Sequence, residues 1–321
     1  MRSLRSSKIC PMYAAQRPSR SESVAIRQQQ VHVRLWGEPA SEPPPLVLLH
    51  GWMDVAASYQ FMVDALSPDF FSGRFILAPD WRGFGRSTGP ACDHYSFADY
   101  LGDLEWLLDH FAGERPVDLV GHSMGGNIAM MYAGARPQRV RRLVNLEGFG
   151  MPATKPAQAP SRYAKWLDEI KSLHRGEMAL RTYDDESGVA ARLMKTNPRL
   201  APDKAQWLAR QWSEPRTDAD GRTRWHIQGD AAHRVINPQL FRVDEMLALY
   251  AHIAAPTLMV EASDDSLAGW WQGRFTRDEF HERLKAVPQL RRELIQDAGH
   301  MLHHDQPEAL ATLVESFLGT D

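Results

Sequence analysis

The segment LVGHSMGGN places one serine between glycines at the end of an apolar run, and the segment IAMMYA that follows is typical of a helix. Gly121, Ser123 and Gly125 form the pattern Gly-x-Ser-x-Gly. At a turn from strand to helix, such a serine takes a strained backbone that lifts its hydroxyl clear of the sheet, and only small neighbours fit around it. The pattern therefore predicts that Ser123 is a nucleophile.

A serine nucleophile needs a base that takes its proton. The C-terminal segment DAGHMLHHDQPEAL places His300 after the last predicted strand, in a loop from which it can reach back to the serine. His50 and His122 flank motif glycines, and we expect them to support the backbone rather than to transfer protons. We predict that His300 is the base.

His300, His303 and His304 also have the spacing H-x-x-H-H, which could suggest a metal site on one helix face. His300, however, follows Gly299 in a predicted loop. Pro307 places the start of the next helix after the histidines. We therefore expect no metal and no cofactor.

A carboxylate must orient the imidazole, and two residues are competing candidates. Asp265, in EASDDS, follows the penultimate predicted strand, where the chain order serine, acid, histidine places an acid. Glu147, in NLEGFGMP, ends a strand beside the nucleophile and precedes two glycines that free the backbone. Asp264 is a weaker candidate because it is more typical of a turn. The residues alone leave Glu147 and Asp265 both open.

The oxyanion that develops on a substrate carbonyl needs two hydrogen-bond donors that are in place before reaction. The segment LLHGWMD predicts a tight turn after the first buried strand. We predict that the backbone N–H groups of Trp52 and Met124 form this oxyanion hole. The residues expected to support it are His50, Gly51, Gly121 and Gly125.

The elements that position these residues alternate between short β-rich runs and longer helical runs from Ser23 onward. This alternation predicts a mostly parallel central sheet with helices on both faces, an α/β fold. SFADYLGDLEWLLDHF has the spacing of an amphipathic helix with Ser96 at its N-terminus, and PEALATLVESFLG forms a closing helix. The predicted strands are SVAIR and VHVRLWG as a hairpin, then PLVLLHG, RFILAPD, PVDLVGH, VRRLVNLEG, PTLMVEA and RRELIQDAG.

The alternation stops after Met151, and the segments SRYAKWLDEIKSL and DKAQWLARQW predict helices instead. We predict a core of residues 23–150 and 241–321 with a helical cap at residues 151–240.

Tryptophans are concentrated in and near this insertion: Trp166, Trp207, Trp212, Trp225, Trp270 and Trp271. Their commonest role is to pack a cap onto a core, and one or two such rings can also cover an apolar ligand pocket. We expect Met53 and Trp166 to line the substrate pocket.

Composition limits the classes of partner. The chain of 321 residues has a net charge of −3, which gives no general attraction to nucleic acid, and it has no apolar run near the roughly 20 residues of a membrane helix. Cys10 and Cys92 are too few for a disulfide framework. Residues 1–22 are basic and Ser-rich, typical of a disordered arm, with an organelle-targeting peptide as the alternative. We expect a cytoplasmic protein that acts on a small molecule.

The motifs HGW, DWRGFGRS (Asp80–Ser87), GHSMGG and GHMLHHDQPE stand in an order that resembles the α/β-hydrolase superfamily. The resemblance covers nearly everything from about Ser23 to Gly319. HGWMDVAASYQ and the GHxLH ending resemble the serine hydrolase-like branch, whose substrates are poorly defined. The resemblance implies an α/β-hydrolase fold with a Ser-His-acid triad.

Carried onto this sequence, the resemblance implies Ser123 as nucleophile and His300 as base, with Trp52 and Met124 as oxyanion donors. That branch, like the haloalkane dehalogenases, tends to carry its acid after the strand that ends at Glu147. Dehalogenases and epoxide hydrolases of this fold carry aspartate at the nucleophile position, so a serine argues against both chemistries.

The sequence therefore favours a cofactor-independent serine hydrolase that cleaves an ester, thioester or related acyl bond of a small, apolar substrate. A C–C bond hydrolase, or a perhydrolase or acyltransferase, with the same triad is one alternative. A non-catalytic ligand-binding protein of the same fold is another, because fold alone does not fix function.

Overall fold

An eight-stranded sheet forms the centre of the molecule, and the computed structural model describes residues 12–319 of the chain. A smaller, three-stranded sheet lies in the insertion. In chain order the strands are β1 (Arg20–Ile26), β2 (Gln29–Trp36), β3 (Leu46–Leu49), β4 (Ile76–Pro79), β5 (Val117–His122), β6 (Val140–Leu146), β7 (Thr182–Tyr183), β8 (Ser213–Thr217), β9 (Thr223–Ile227), β10 (Thr257–Ala262) and β11 (Leu290–Ile295).

The strand order of the large sheet is β1-β2-β4-β3-β5-β6-β10-β11. The opening hairpin is antiparallel, and β2 pairs antiparallel with β4. All later pairs are parallel. Strands β3, β4 and β5 are buried along their whole length. This burial explains why β3 and β4 are continuous apolar runs rather than alternating ones. The predicted mostly parallel α/β fold is confirmed.

Helices cover both faces of this sheet. In chain order the helices are α1 (Gln60–Ala65), α2 (Pro68–Phe71), α3 (Phe97–Ala112), α4 (Met124–Ala135), α5 (Ala159–His174), α6 (Glu186–Thr196), α7 (Pro202–Trp212), α8 (Val243–Ala251), α9 (Ser266–Trp271), α10 (Arg277–Leu284), α11 (Leu302–Asp305) and α12 (Pro307–Leu318). The buried faces of α3, α4, α8 and α10 share one apolar cluster with the sheet, and those of α1 and α12 share a second.

The amphipathic sequence predicted as a helix is α3. Its apolar residues Leu104, Leu107 and Leu108 are buried against the sheet. The Ser96 hydroxyl accepts a hydrogen bond from the Ala98 N–H at 3.3 Å, which satisfies one of the free donors of the first turn. The closing helix α12 likewise begins at its proline as the sequence predicted.

The parallel arrangement gathers the predicted site residues at one edge of the sheet. Strand β5 ends directly before Ser123, and β6 ends directly before Glu147. His300 follows β11, and Trp52 follows β3. Because the carboxyl ends of parallel strands meet at one edge, residues far apart in sequence become neighbours there.

The insertion differs from the helical cap that the sequence predicted. Besides α5, α6 and α7 it contains the antiparallel sheet β7-β9-β8. A loop with Asp and Gly joins β8 to β9, and such a loop between two short runs is a turn signal of a hairpin. Buried residues of α6 and α7 pack on Val55, Ala57 and Phe61 of the core.

Part of the segment predicted as a disordered arm, residues 1–22, has a defined structure. Residues 1–11 lie outside the described part of the chain. Tyr13, however, donates a hydrogen bond to Asp64 and packs edge-on against the rings of Phe61 and Trp207 at 4.9 and 5.4 Å. Strand β1 then starts at Arg20. Within residues 12–319, none of the helices combines the length and apolar character that crossing a bilayer requires.

Candidate active site

Ser123 stands at the turn between β5 and α4 with φ 52° and ψ −114°. This is the left-handed region that residues other than glycine rarely adopt. Its backbone N–H bonds to the Leu146 carbonyl at 2.8 Å, which holds the strained turn against β6. Although Ser123 precedes a helix, its hydroxyl makes no capping bond and stays available for chemistry.

The two motif glycines are explained by the backbone packed around this turn. A Cβ atom on Gly121 would overlap the Gly125 carbonyl, and a Cβ atom on Gly125 would overlap the Leu49 carbonyl. Neither neighbour is a flexible side chain that could move away. The spacing Gly-x-Ser-x-Gly therefore reflects close backbone approach on both sides of the serine.

The predicted oxyanion residues lie on segments that flank Ser123. A Cβ atom on Gly51 would lie 3.2 Å from the Ser123 Cβ, so the loop that carries Trp52 passes directly over the serine. Met124 is the first residue of α4, where a backbone N–H has no partner within the helix. The next loop residue, Met53, has φ 55°.

Hydrogen bonds of His50 hold this loop in place. Its fully buried ring donates from Nδ1 to the Gly51 carbonyl at 2.8 Å and accepts at Nε2 from the Trp81 N–H at 2.9 Å. Trp81 Nε1 in turn donates to the His50 carbonyl at 3.0 Å. Burial lowers the pKa of His50, so the ring is neutral and fixed in one tautomer. These bonds hold the Gly51 turn in place, the supporting part predicted for this histidine.

Glu147 is buried at the end of β6, with φ 55° and 1% exposure. Its Oε1 accepts from the Ala262 N–H at 2.8 Å, and its Oε2 accepts from the Ser266 hydroxyl at 2.9 Å. These two donors fix the carboxylate from the side of β10. Its side chain is therefore positioned by the neighbouring strand and by the first residue of α9.

The His300 ring lies against this carboxylate, with Nδ1 3.3 Å from Glu147 Oε2. His122, the residue before the serine, donates from Nε2 to the His300 carbonyl at 2.7 Å, and the two rings are 4.7 Å apart. Trp270 stands edge-on to the His300 ring at 4.3 Å. The structure thus brings the serine turn, the histidine and one carboxylate together.

The electrostatics of this pair follow from burial. Burial raises the pKa of Glu147 to about 7, although the bonds from Ala262 and Ser266 act in the opposite direction. Burial lowers the pKa of His300, with Asp54 opposing the shift. A neutral imidazole next to a carboxylate is the form that can accept a proton from a hydroxyl.

The two other candidate acids are engaged elsewhere. The Asp265 carboxylate accepts from the Ala268 N–H at 3.0 Å at the start of α9 and lies 3.6 Å from Arg277. Asp264 pairs with Arg199 at 2.6 Å on the surface. Of the three carboxylates, Glu147 is the one in contact with His300.

The two predicted pocket residues have different surroundings. Met53 packs against both the core cluster and the cluster of the insertion, and its side chain reaches Gly229. Trp166, on α5, stands edge-on to His94 at 6.0 Å. Met53 therefore lies between core and insertion, next to the predicted oxyanion hole, whereas the contact of Trp166 is with the segment before α3.

Two further residues contact the pair of Glu147 and His300. The sequence analysis did not single out Ser266, and it named Trp270 only among the tryptophans that could pack a cap or cover a pocket. Ser266 bonds to Glu147, and Trp270 flanks His300. Both belong to α9, a short helix that the sequence analysis did not identify. A serine and a tryptophan three or more residues after a buried strand form no recognisable sequence pattern. Only their positions in the structure show that they contact Glu147 and His300.

The two histidines after His300 are not in a loop, contrary to the expectation from the sequence. Both lie in the short helix α11 and are buried. The His303 ring lies 4.4 Å from that of His122 and 4.3 Å from that of His304. Pro307 does begin a helix, α12, but the short helix α11, which the sequence did not predict, precedes it.

Comparison with known proteins agrees with this architecture. A family model described as alpha/beta hydrolase fold matches residues 44–307. A serine hydrolase-like protein of Danio rerio is 26% identical over 290 residues, covering 89% of this chain and 84% of that protein. Epoxide hydrolase A of Mycobacterium tuberculosis (strain ATCC 25618 / H37Rv) is 27% identical over 331 residues, covering 90% and 95%. A thioesterase domain from the curacin biosynthetic pathway, 23% identical, superposes with a TM-score of 0.76 over 93% of this chain and 99% of that one, a similarity of fold.

Proposed function

The chain belongs to the α/β hydrolase fold family, and on that premise we propose that it is a serine hydrolase that cleaves an ester, thioester or related acyl bond. In this proposal Ser123 is the nucleophile, His300 the base and Glu147 the acid. Backbone N–H groups of Trp52 and Met124 bind the oxyanion.

In the proposed reaction the Ser123 oxygen attacks the substrate carbonyl while His300 Nε2 takes the hydroxyl proton. The carbonyl oxygen becomes negatively charged and accepts hydrogen bonds from the two backbone donors. The intermediate collapses as His300 gives the proton to the leaving group, which leaves an acyl-serine. His300 then activates a water molecule, and attack of that water releases the acid and restores the serine.

The observation that supports the proposal most is the contact of His300 Nδ1 with the buried Glu147 carboxylate at 3.3 Å. That contact fixes the tautomer in which Nε2 carries the lone pair needed by a base. The strained backbone of Ser123, one residue from His122, supplies the nucleophile beside it. The resemblance to serine hydrolase-like proteins noted in the sequence is confirmed by the Danio rerio relative.

The surroundings of the site favour an apolar acyl or alcohol group. Trp52 and Trp270, which adjoin the proposed oxyanion hole and base, are about half exposed. Met53 packs between core and insertion. We assign the insertion, residues 151–240, as a cap over this site. Exposed apolar side chains at the entrance are expected to gain by contact with an apolar substrate.

Epoxide hydrolysis is the alternative that one relative's name raises. Epoxide hydrolases of the fold carry aspartate at the nucleophile position, and this chain carries serine there. It therefore cannot form an ester between the substrate and an enzyme carboxylate that water could cleave. The proposal therefore keeps acyl transfer to water as the reaction.

Substitution Ser123→Ala tests the proposal directly. Turnover of p-nitrophenyl esters should fall to the background rate. The free energy of unfolding should stay within about 1 kcal/mol of the wild type, because only one partly buried hydroxyl is lost. A fluorophosphonate probe should label the wild-type serine and leave the variant unlabelled.

Ser161→Ala is the matched control, since Ser161 is an exposed serine of the insertion bonded to the Gln158 carbonyl. It should keep both turnover and labelling. Esterase activity that persists in Ser123→Ala, or absence of labelling in the wild type, would refute the assignment.

A further inference from the structure

Three buried side chains meet behind the proposed active site: Asp54, His122 and His303. Their exposed fractions are 6%, 2% and 0%. One donor atom from each lies within 4.8 Å of the other two. They come from three separate segments of the chain, so no sequence spacing could have indicated them as a set.

The hydrogen bonds of His122 leave an unpaired lone pair in this cluster. Its Nε2 is 2.7 Å from the His300 carbonyl, which can only accept, so Nε2 carries the proton. The other ring nitrogen, Nδ1, therefore has a lone pair. It is buried and has no hydrogen-bond partner among the described residues. A buried acceptor in this condition is rare and costs free energy unless something pairs with it.

Asp54 and His303 also have buried polar atoms without hydrogen-bond partners among the described residues. The Ser58 hydroxyl donates a hydrogen bond to Asp54 Oδ1. In the described part of the chain, Asp54 Oδ2 has no hydrogen-bond donor, and the two ring nitrogens of His303 have no hydrogen-bond partner. The nearest basic side chain to Asp54 in that part is His303, at 3.9 Å. Within the described residues, the buried Asp54 Oδ2 therefore lies beside ring nitrogens of His303 that also lack a hydrogen-bond partner.

We propose that Asp54, His122 and His303 form a binding site for a divalent transition-metal ion, Zn²⁺ being the best match. Two neutral imidazoles and one carboxylate are the ligand types that Zn²⁺ prefers, with distances near 2.0–2.2 Å. Ligands at about 2.1 Å in a tetrahedral site stand about 3.4 Å apart, so separations of up to 4.8 Å need to shorten by at most about 1.4 Å. This ligand set departs from the sequence-based expectation of no metal, and only one of its histidines belongs to the H-x-x-H-H spacing.

The position of the three ligands predicts what the ion does. Each ligand adjoins one segment of the proposed catalytic apparatus: His122 precedes Ser123, Asp54 follows the loop of Trp52 and Met53, and His303 shares the segment of His300. A bound ion therefore links the nucleophile turn, the oxyanion loop and the base loop. We expect it to stabilise their arrangement without entering the reaction.

Equilibrium dialysis of the full chain against Zn²⁺, followed by metal analysis, tests the site. One bound ion per chain is expected, with a Tm rise of about 4 °C at a free concentration 100-fold above Kd. Substitution of Co²⁺ should give visible ligand-field absorption bands, which report nitrogen and oxygen ligation without any assay of activity.

Asp54→Asn and His303→Gln should each lower the affinity for Zn²⁺ at least tenfold and remove the Co²⁺ bands. Asp54→Asn is close to isosteric, and circular dichroism without metal shows whether each variant is folded. His174→Gln is the matched control, because His174 pairs with Asp93 on the surface at 2.8 Å and should leave binding unchanged.

No binding by the folded wild type would overturn the proposal. Equal binding by wild type, Asp54→Asn and His303→Gln would also overturn it, since the ions would then sit on surface histidines. The result does not depend on whether the chain hydrolyses esters, so failure here and failure of the proposed function are separate outcomes.

Discussion

At the scale of single residues, the competing candidates for the acid differ in what each carboxylate contacts. Glu147 receives two hydrogen bonds and stands against His300, while Asp265 is used at the start of α9. Glu147 also has a raised pKa because it is buried. A carboxylate that is fixed, buried and paired with the base is the one that can control the imidazole tautomer.

Comparison of Glu147→Gln with Asp265→Asn measures this difference. Glu147→Gln should lower kcat by up to about 10⁴, because an amide can no longer hold the productive tautomer. Asp265→Asn should change kcat by less than about tenfold, since asparagine also serves at a helix N-terminus. Steady-state kinetics on one ester gives both values. If the two effects are reversed, Asp265 is the acid.

The raised pKa of Glu147 also predicts the pH profile. Its active form is the ionised one, and His300 stays neutral across the neutral range because burial lowers its pKa. Therefore kcat/KM should rise with pH through about 7, the pKa of Glu147, and fall about tenfold per unit below it. In Glu147→Gln this acidic limb should flatten. If the acidic limb of the kcat/KM profile persists unchanged in Glu147→Gln, the limb reports the titration of a group other than Glu147.

At the scale of elements, the strained turn at Ser123 is held by close backbone packing. Strand β5, strand β3 and the start of α4 approach one another without side chains between them. The backbone carbonyls of Leu49 and Gly125 occupy the space that Cβ atoms on Gly125 and Gly121 would need. The strain of Ser123 at φ 52° persists because these contacts leave the backbone no relaxed alternative.

Gly125→Ala should therefore lower the free energy of unfolding by about 1–3 kcal/mol through overpacking and should reduce activity by displacing Ser123. Gly269→Ala is the matched control, because a Cβ atom there meets no atom within 4 Å in α9 and removes a flexible residue from a helix. It should stabilise the protein by up to about 1 kcal/mol. Chemical denaturation compares the two, and equal effects would argue against close packing at the turn.

At the scale of the whole molecule, the insertion and the core meet through one apolar cluster. Tyr183, Leu208 and Trp212 of the insertion pack against Val55 and Phe61 of the core. Met53 touches this cluster as well as the main core. We therefore expect the joint surface of these two units to select which substrates enter the proposed site at the sheet edge.

Esters of graded acyl length test this selection. Each added methylene buried between the two units should raise kcat/KM about fourfold until the space is filled, following about 0.8 kcal/mol per methylene. Met53→Ala should flatten the dependence on length. Met12→Ala, at an exposed methionine, should leave it unchanged. A preference for acetate or for charged acyl groups would contradict an apolar site.

The amino-acid sequence by itself determined the α/β fold, the helix over Phe97–Ala112 and the order of the motifs, since these depend on local periodicity and on short-range turn chemistry. It also singled out Ser123 and His300 as the nucleophile and base that we propose. Only the tertiary structure distinguishes Glu147 from Asp265, because both end or follow strands. The fold brings Glu147 into contact with His300, 153 residues further along the chain, and leaves Asp265 at the start of α9. The small sheet of the insertion, the packing of Tyr13, and the cluster of Asp54, His122 and His303 likewise arise from contacts between distant segments, which no local pattern records.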